Sequence, residues 1–70
     1  MDARGILGAN LRKARDQRGW SQEELADRSG IHRTYISGVE RGTRNPTLSI
    51  IEAIATALEI TTAQLLGELP

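Results

Sequence analysis

The chain has 70 residues, no cysteine, a single histidine and a formal net charge of zero, so it must fold around its own apolar core without disulfides or a thiolate metal site. No apolar run approaches the roughly 18 residues of a membrane-spanning helix, and the N-terminus lacks the basic and apolar segments of a secretory signal. We expect one domain over residues 1–70, in a cytoplasmic protein that has no membrane partner, no cofactor, no metal and no small-molecule ligand.

Apolar residues recur at helical spacing along the chain, and no segment alternates as a strand does. Glycine, proline and a threonine pair separate the periodic segments. The pattern predicts an all-α fold of five helices, at about residues 4–18, 21–29, 32–41, 47–58 and 62–68.

Local signals delimit the first two helices. An apolar stripe begins at Leu7, and Gly19 ends the first helix as a left-handed C-terminal residue. Ser21, followed three residues later by Glu24, predicts a capping box at the start of the second helix, and Gly30 ends that helix after about two turns.

The second and third helices have the pattern of a helix-turn-helix unit over residues 22–41. Ala26 is small where the two helices would cross, and Gly30 suits the tight turn between them. In the third helix Tyr35 and Val39 point towards the core. The opposite, polar face carries Arg33, Thr34, Ser37, Gly38 and Arg41.

The last two helices are expected to close the core and to supply a contact between protomers. The fourth helix carries a wide apolar stripe of Leu48, Ile51, Ile54, Ala55 and Leu58. Thr61 and Gln64 predict a second capping box. Because Leu65 and Leu66 are adjacent on a short terminal helix, one protomer cannot easily bury both, and we predict that they form a dimer interface.

The charge is unevenly distributed along the chain. Residues 1–47 contain all nine basic side chains and six acidic ones, whereas residues 48–70 contain three acids and no base. Eight of the nine bases are arginine, which suits bidentate contacts with phosphate and guanine, although a GC-rich genome produces the same bias. A basic binding face on an otherwise neutral body leaves this asymmetry.

With these features the sequence resembles the phage lambda repressor and Cro-like (XRE-type) helix-turn-helix transcriptional regulators, over about residues 7–66. The most specific stretches are SQEELA at residues 21–26 and YISGVERGTRNPTL at residues 35–48, and HRTYISG at residues 32–38 also resembles the recognition helix of restriction-modification controller proteins. The resemblance implies a compact five-helix fold and a homodimer that binds a near-palindromic double-stranded DNA operator through helix three in the major groove.

The resemblance also implies which side chains read bases. Arg33 is the first of these, since a guanidinium pairs with both acceptors on a guanine edge, and Thr34, Ser37 and Gly38 share its face. A solvated surface arginine is the alternative for Arg33. Glycine inside a helix costs up to about 1 kcal/mol relative to alanine, so at Gly38 either the backbone approaches DNA closely or the position is unoptimised.

Contacts with the DNA backbone are implied for Gln22, His32, Tyr35, Arg41, Arg44 and Asn45. Structural roles are the alternatives: a helix-start glutamine for Gln22, an N-cap for His32, core packing for Tyr35 and solvated charges in the loop. The resemblance further implies that Arg15 and Glu40 form a pair that joins helix one to helix three.

Other classes of function fit the sequence less well. One histidine at a helix start, without a nucleophile and base or a glycine-rich phosphate loop, argues against an enzyme. The rival is an antitoxin or adaptor of the same fold that acts by protein–protein binding, and a third possibility is a piece of a longer regulator with a sensing domain. We predict a transcriptional regulator that acts as a repressor, autoregulator or restriction-modification controller, with RNA polymerase as a further candidate partner.

Overall fold

The computed structural model describes residues 2–67, and within that range it contains five α-helices and no strand. They are α1 (Ala3–Gln17), α2 (Gln22–Ser29), α3 (Arg33–Glu40), α4 (Leu48–Leu58) and α5 (Thr62–Leu66). The predicted all-α, five-helix fold is confirmed, with helix ends close to those expected. The predicted last residue of α5, at position 68, lies outside the described residues.

The two predicted capping boxes differ in the structure. At α5 the box is complete, since Thr61 Oγ1 accepts from the Gln64 N–H at 3.0 Å and Gln64 Oε1 accepts from the Thr61 N–H at 2.9 Å. At α2 only the first half forms: Ser21 Oγ accepts from the Glu24 N–H at 3.0 Å. The Glu24 carboxylate instead accepts from Arg28 Nε, one turn later, at 2.8 Å. The prediction of a reciprocal bond at α2 is therefore wrong, because a salt bridge along the helix takes its place.

The core lies between helices that pack in a closed arrangement. Helix α1 packs against α3 and α5, α2 packs against α3 and α4, and α4 packs against α5. Each large aliphatic side chain that is fully buried contributes about 1.5–3 kcal/mol relative to exposure. The buried hydrophobic residues are Leu7, Leu11, Ala14, Leu25, Ile36, Val39, Ile51, Ile54, Ala55, Leu58 and Leu65.

Two predictions about leucines need correction. Leu48 is 60% exposed, because it is the first residue of α4 and lies one turn ahead of Ile51, the first residue of that helix in the core. Leu65 has no exposed surface at all, whereas its neighbour Leu66 is 45% exposed. Leu65 therefore belongs to the core of its own chain, and its predicted role in a dimer interface is wrong, whereas that of Leu66 stays a prediction.

The side chain of Asn10 fastens α5 to α1. Its amide Nδ2 donates to the backbone oxygen of Leu65 at 2.9 Å and to that of Gly67 at 2.7 Å. These carbonyls lie at the end of a helix, where no further turn supplies donors. Asn10 thus holds the surface that carries Leu66 in a defined orientation.

None of the helices in the described part of the chain combines the length and the apolar character that a membrane crossing requires.

Candidate nucleic-acid interface

The turn between α2 and α3 has the backbone that a helix-turn-helix requires. Gly30 ends α2 with φ 74°, in the left-handed region that glycine enters without strain. His32 then begins α3 as its N-cap, with its imidazole Nδ1 accepting from the Thr34 N–H at 3.1 Å. Histidine thus fulfils the capping role that serine, threonine and asparagine more often have at a helix start.

The first turn of α3 presents polar side chains to solvent. Arg33 and Thr34 are exposed, and within residues 2–67 the Arg33 guanidinium forms neither a hydrogen bond nor an ion pair. One turn later Ser37 is half-buried, and its hydroxyl accepts from Arg41 Nη1 at 2.6 Å. Arg33, unlike Arg41, therefore has donors that a ligand can engage without breaking a contact within residues 2–67.

Gly38, for which the resemblance also implies base contact, does not offer an open surface on this face in the free protein. The residue is buried, and a Cβ added to it would overlap Cγ of Arg44. The Arg44 guanidinium continues over the ring of Tyr35, with Cζ 5.4 Å from the ring centroid. In the free protein the side chain of Arg44 thus covers Gly38, and base contact by Gly38 stays a prediction.

The remaining residues predicted to contact the DNA backbone lie in α2, in α3 and in the loop after α3. Gln22 is the first residue of α2, and its Nε2 donates to Glu40 Oε1 at 3.1 Å. Tyr35 is partly buried and packs against the core, which is the alternative role given for it above. Arg44 and Asn45 are exposed in the loop between α3 and α4.

Arg15 and Glu40 form a bidentate ion pair between α1 and α3. Arg15 Nε lies 2.8 Å from Glu40 Oε2, and Arg15 Nη2 lies 3.0 Å from Glu40 Oε1. The two side chains are only 12% and 6% exposed, and Arg15 Nη1 also donates to the backbone oxygen of Trp20 at 2.7 Å. The hydrogen bonds to Glu40 raise the pKa of Arg15 above its ordinary value, although burial opposes the shift. The pair orients α3, because its donors and acceptors match closely in a poorly solvated site.

Gly8 also positions α3, and sequence reasoning missed it. A Cβ at this position would lie 2.6 Å from the backbone oxygens of both Val39 and Glu40. Helix α1 therefore crosses the end of α3 at a distance that excludes any side chain. A glycine in the middle of a helix, beside the buried residue Leu7, is the signal that could have revealed this crossing.

Residues 11–65 match the helix-turn-helix family HTH_3, which is most of the chain. The chain belongs to the helix-turn-helix family. Its predicted identity as an XRE-type helix-turn-helix protein is thereby confirmed.

This helix-turn-helix protein is 51% identical over 65 residues to a hypothetical transcription factor of Neisseria meningitidis serogroup B, a match that spans 93% of this chain and 61% of that relative. The crystal structure of the Neisseria protein superimposes with a TM-score of 0.91 over 94% of this chain and 76% of that one. The chain thus spans less than two thirds of the full length of this relative.

Two further structures are similar to this helix-turn-helix protein. The restriction-modification controller protein C.AhdI from Aeromonas hydrophila is 47% identical, with a TM-score of 0.86 over 89% of this chain and 94% of that one. SinR, a master regulator for biofilm formation that was solved in complex with DNA, is 29% identical, with a TM-score of 0.83 over 87% of this chain and 98% of that one. The predicted resemblance to controller proteins is confirmed by the first of these.

Proposed function

We propose that this protein is a transcriptional regulator that binds a near-palindromic double-stranded DNA operator as a homodimer, with α3 of each protomer in the major groove. The observation that carries the proposal is at the first turn of α3, where Arg33 is exposed and has no partner within residues 2–67, while Glu40 holds the other end of the helix. The side chains of this first turn are the ones that reach base edges when such a helix enters the groove. SinR, which shares the fold, was solved in complex with DNA.

In this proposal Arg33 reads a guanine through its O6 and N7 acceptors, and Thr34 and Ser37 contact neighbouring base edges. The side chains around α3 contact phosphates and set the register of the helix, without selecting a sequence. They are Gln22, His32, Tyr35, Arg41, Arg44 and Asn45.

The homodimer is proposed to form through α5, with Leu66 as its apolar contact. Leu66 is the exposed member of the leucine pair, and the Asn10 hydrogen bonds hold its helix on α1. A two-fold axis would present two copies of α3 to successive major grooves, with half-sites about 34 Å apart.

The biological role that we propose is that of a repressor, autoregulator or restriction-modification controller, in line with the likeness to C.AhdI. Binding would depend on protein concentration through dimerisation, and RNA polymerase is a candidate partner at the promoter. The proposal requires a cytoplasmic protein and involves no catalytic step.

The experiment that tests the proposal is selection of bound duplexes from a random DNA pool at near-physiological salt, followed by sequencing. The expected result is a two-fold symmetric motif with half-sites one helical turn apart. An unenriched pool, with binding that disappears as salt rises, would contradict the proposal because it reports phosphate contact alone. The antitoxin or adaptor function would then be the better account.

A further inference from the structure

Gly38 occupies the middle of α3, where glycine is a poor choice for helix stability. Its surroundings show what the missing side chain makes possible. A Cβ at this position would overlap Arg44 Cγ and would lie 3.4 Å from Arg44 Nε and 3.5 Å from Arg44 Cβ. Three atoms of one side chain therefore fill the space beside Gly38.

The backbone of Gly38 also anchors the loop from which Arg44 comes. Its carbonyl oxygen accepts from the Thr43 N–H at 2.9 Å, from the Thr43 hydroxyl at 3.1 Å and from the Arg44 N–H at 3.3 Å. The loop residue and the helix residue are thus joined through the main chain as well as through the side chain.

The Arg44 side chain continues from Gly38 towards the start of α3. Its guanidinium lies over the ring of Tyr35, which precedes Gly38 by one helical turn, with Cζ 5.4 Å from the ring centroid. An arginine over an aromatic face is held by the attraction between its charge and the ring. Arg44, although it belongs to a loop, therefore lies along the helix proposed to enter DNA.

We propose that Gly38 is a positioning residue for DNA binding, which acts through Arg44. The missing Cβ leaves a channel along α3, and the Arg44 side chain lies in this channel with its guanidinium on Tyr35 before DNA arrives. Holding a long side chain in place in the free protein lowers the ordering cost of binding. The inference rests on the proposed function, since it concerns how Arg44 is delivered to DNA.

The first test requires no DNA. In the NMR spectrum of the free protein, the Arg44 methylene protons should be shifted upfield by the ring current of Tyr35. Gly38→Ala should move these resonances to the positions they have in Tyr35→Leu, which lacks the ring. Unchanged Arg44 shifts in Gly38→Ala would overturn the inference, whatever the protein binds.

The second test is a double-mutant cycle with Gly38→Ala and Arg44→Ala, read by fluorescence anisotropy on the selected operator. Gly38→Ala should weaken binding about twofold to tenfold. In the Arg44→Ala background the same change should have no effect, because alanine at position 44 has no Cγ for the new methyl group to displace. An equal loss in both backgrounds would overturn the inference and would mean that DNA itself approaches Gly38.

Folding of the variants, checked by circular dichroism, separates the remaining outcomes. If Gly38→Ala fails to fold while the double variant folds, the clash is with Arg44, which supports the inference. If the double variant also fails to fold, the obstacle is not Arg44 and the inference is wrong. If wild-type protein shows no sequence preference, the proposed function fails, and the NMR comparison still decides whether Gly38 seats Arg44.

Discussion

The two ends of α3 differ in burial and in contacts. At its C-terminal end Glu40 is almost completely buried, accepts hydrogen bonds from Arg15 and Gln22, and lies where α1 crosses without room for a side chain at Gly8. At its N-terminal end Arg33 is exposed and has no partner within residues 2–67. Immobilising one end of a short helix fixes the direction in which the other end projects. The residue that orients this eight-residue helix is therefore different from the residue that we propose reads DNA.

Removal of the buried Glu40 carboxylate should have the most severe consequence for the orientation of α3. Glu40→Ala leaves the Arg15 guanidinium poorly solvated and without its partner, and should lower the free energy of unfolding by about 3–5 kcal/mol in a denaturant titration. The matched control is Glu24→Ala, which breaks the exposed pair with Arg28 and should lower it by less than about 1 kcal/mol. Equal losses in the two variants would contradict an orienting role for the pair.

The proposed dimer contact involves Leu66 and leaves out Leu48, the other exposed leucine of the described residues. Leu66→Ala should raise the dissociation constant of the dimer about tenfold or more in analytical ultracentrifugation, because each protomer loses apolar area at the interface. Leu48→Ala removes a leucine that is still more exposed and should leave the dimer unchanged. If the Leu48 variant dissociates and the Leu66 variant does not, the interface lies near the start of α4.

The crossing of α1 and α3 can be tested at Gly8. Alanine in place of glycine stabilises an isolated helix by up to about 1 kcal/mol. Here the new methyl group would meet two backbone oxygens, so Gly8→Ala should instead lower the free energy of unfolding by about 1–3 kcal/mol in thermal or chemical unfolding. A variant that is more stable than wild type would show that the two helices separate easily.

The stability that the Arg15–Glu40 pair contributes should hardly depend on pH near neutrality. Because Glu40 raises the pKa of Arg15, the stability from this shift is fully present below the ordinary arginine pKa and is lost only as pH rises through the raised value. The stability difference between wild type and Arg15→Ala should therefore be unchanged by titration of Arg15 between about pH 7 and pH 9. Denaturant titrations at the two pH values check this, and a fall in the difference at the higher pH would contradict it.

The helices could be predicted from the sequence because their signals are local. Apolar spacing identifies the residues that share a face, and caps such as Thr61 with Gln64 mark where a helix begins. Periodicity does not show where the helices that pack against α4 end. It therefore predicts a core position for Leu48, although Leu48 lies beyond the core and is exposed. The same limit applies to Leu65 and Leu66, since only packing decides which of two neighbours is buried.

Only part of the geometry of the candidate site could be predicted, and its parts were predicted from different kinds of signal. The exposed start of α3 follows from its amphipathic pattern, whereas the pair of Arg15 and Glu40 came from resemblance, because 25 residues separate its members in the chain. The cover that Arg44 forms over Gly38 depends on the course of the loop between them. Because no periodic pattern encodes that course, the sequence alone does not show why residue 38 is a glycine.

Base reading by Arg33 can be tested by repeating the DNA selection with Arg33→Ala beside wild type, and with Arg12→Ala as a control arginine on the exposed surface of α1. We predict that Arg33→Ala loses preference at one base pair of each half-site, with about 1–3 kcal/mol less affinity for the wild-type motif, and keeps the other positions. Arg12→Ala should select the wild-type motif. If Arg33→Ala selects the same motif as wild type, α3 does not read bases through Arg33, which contradicts the proposed function.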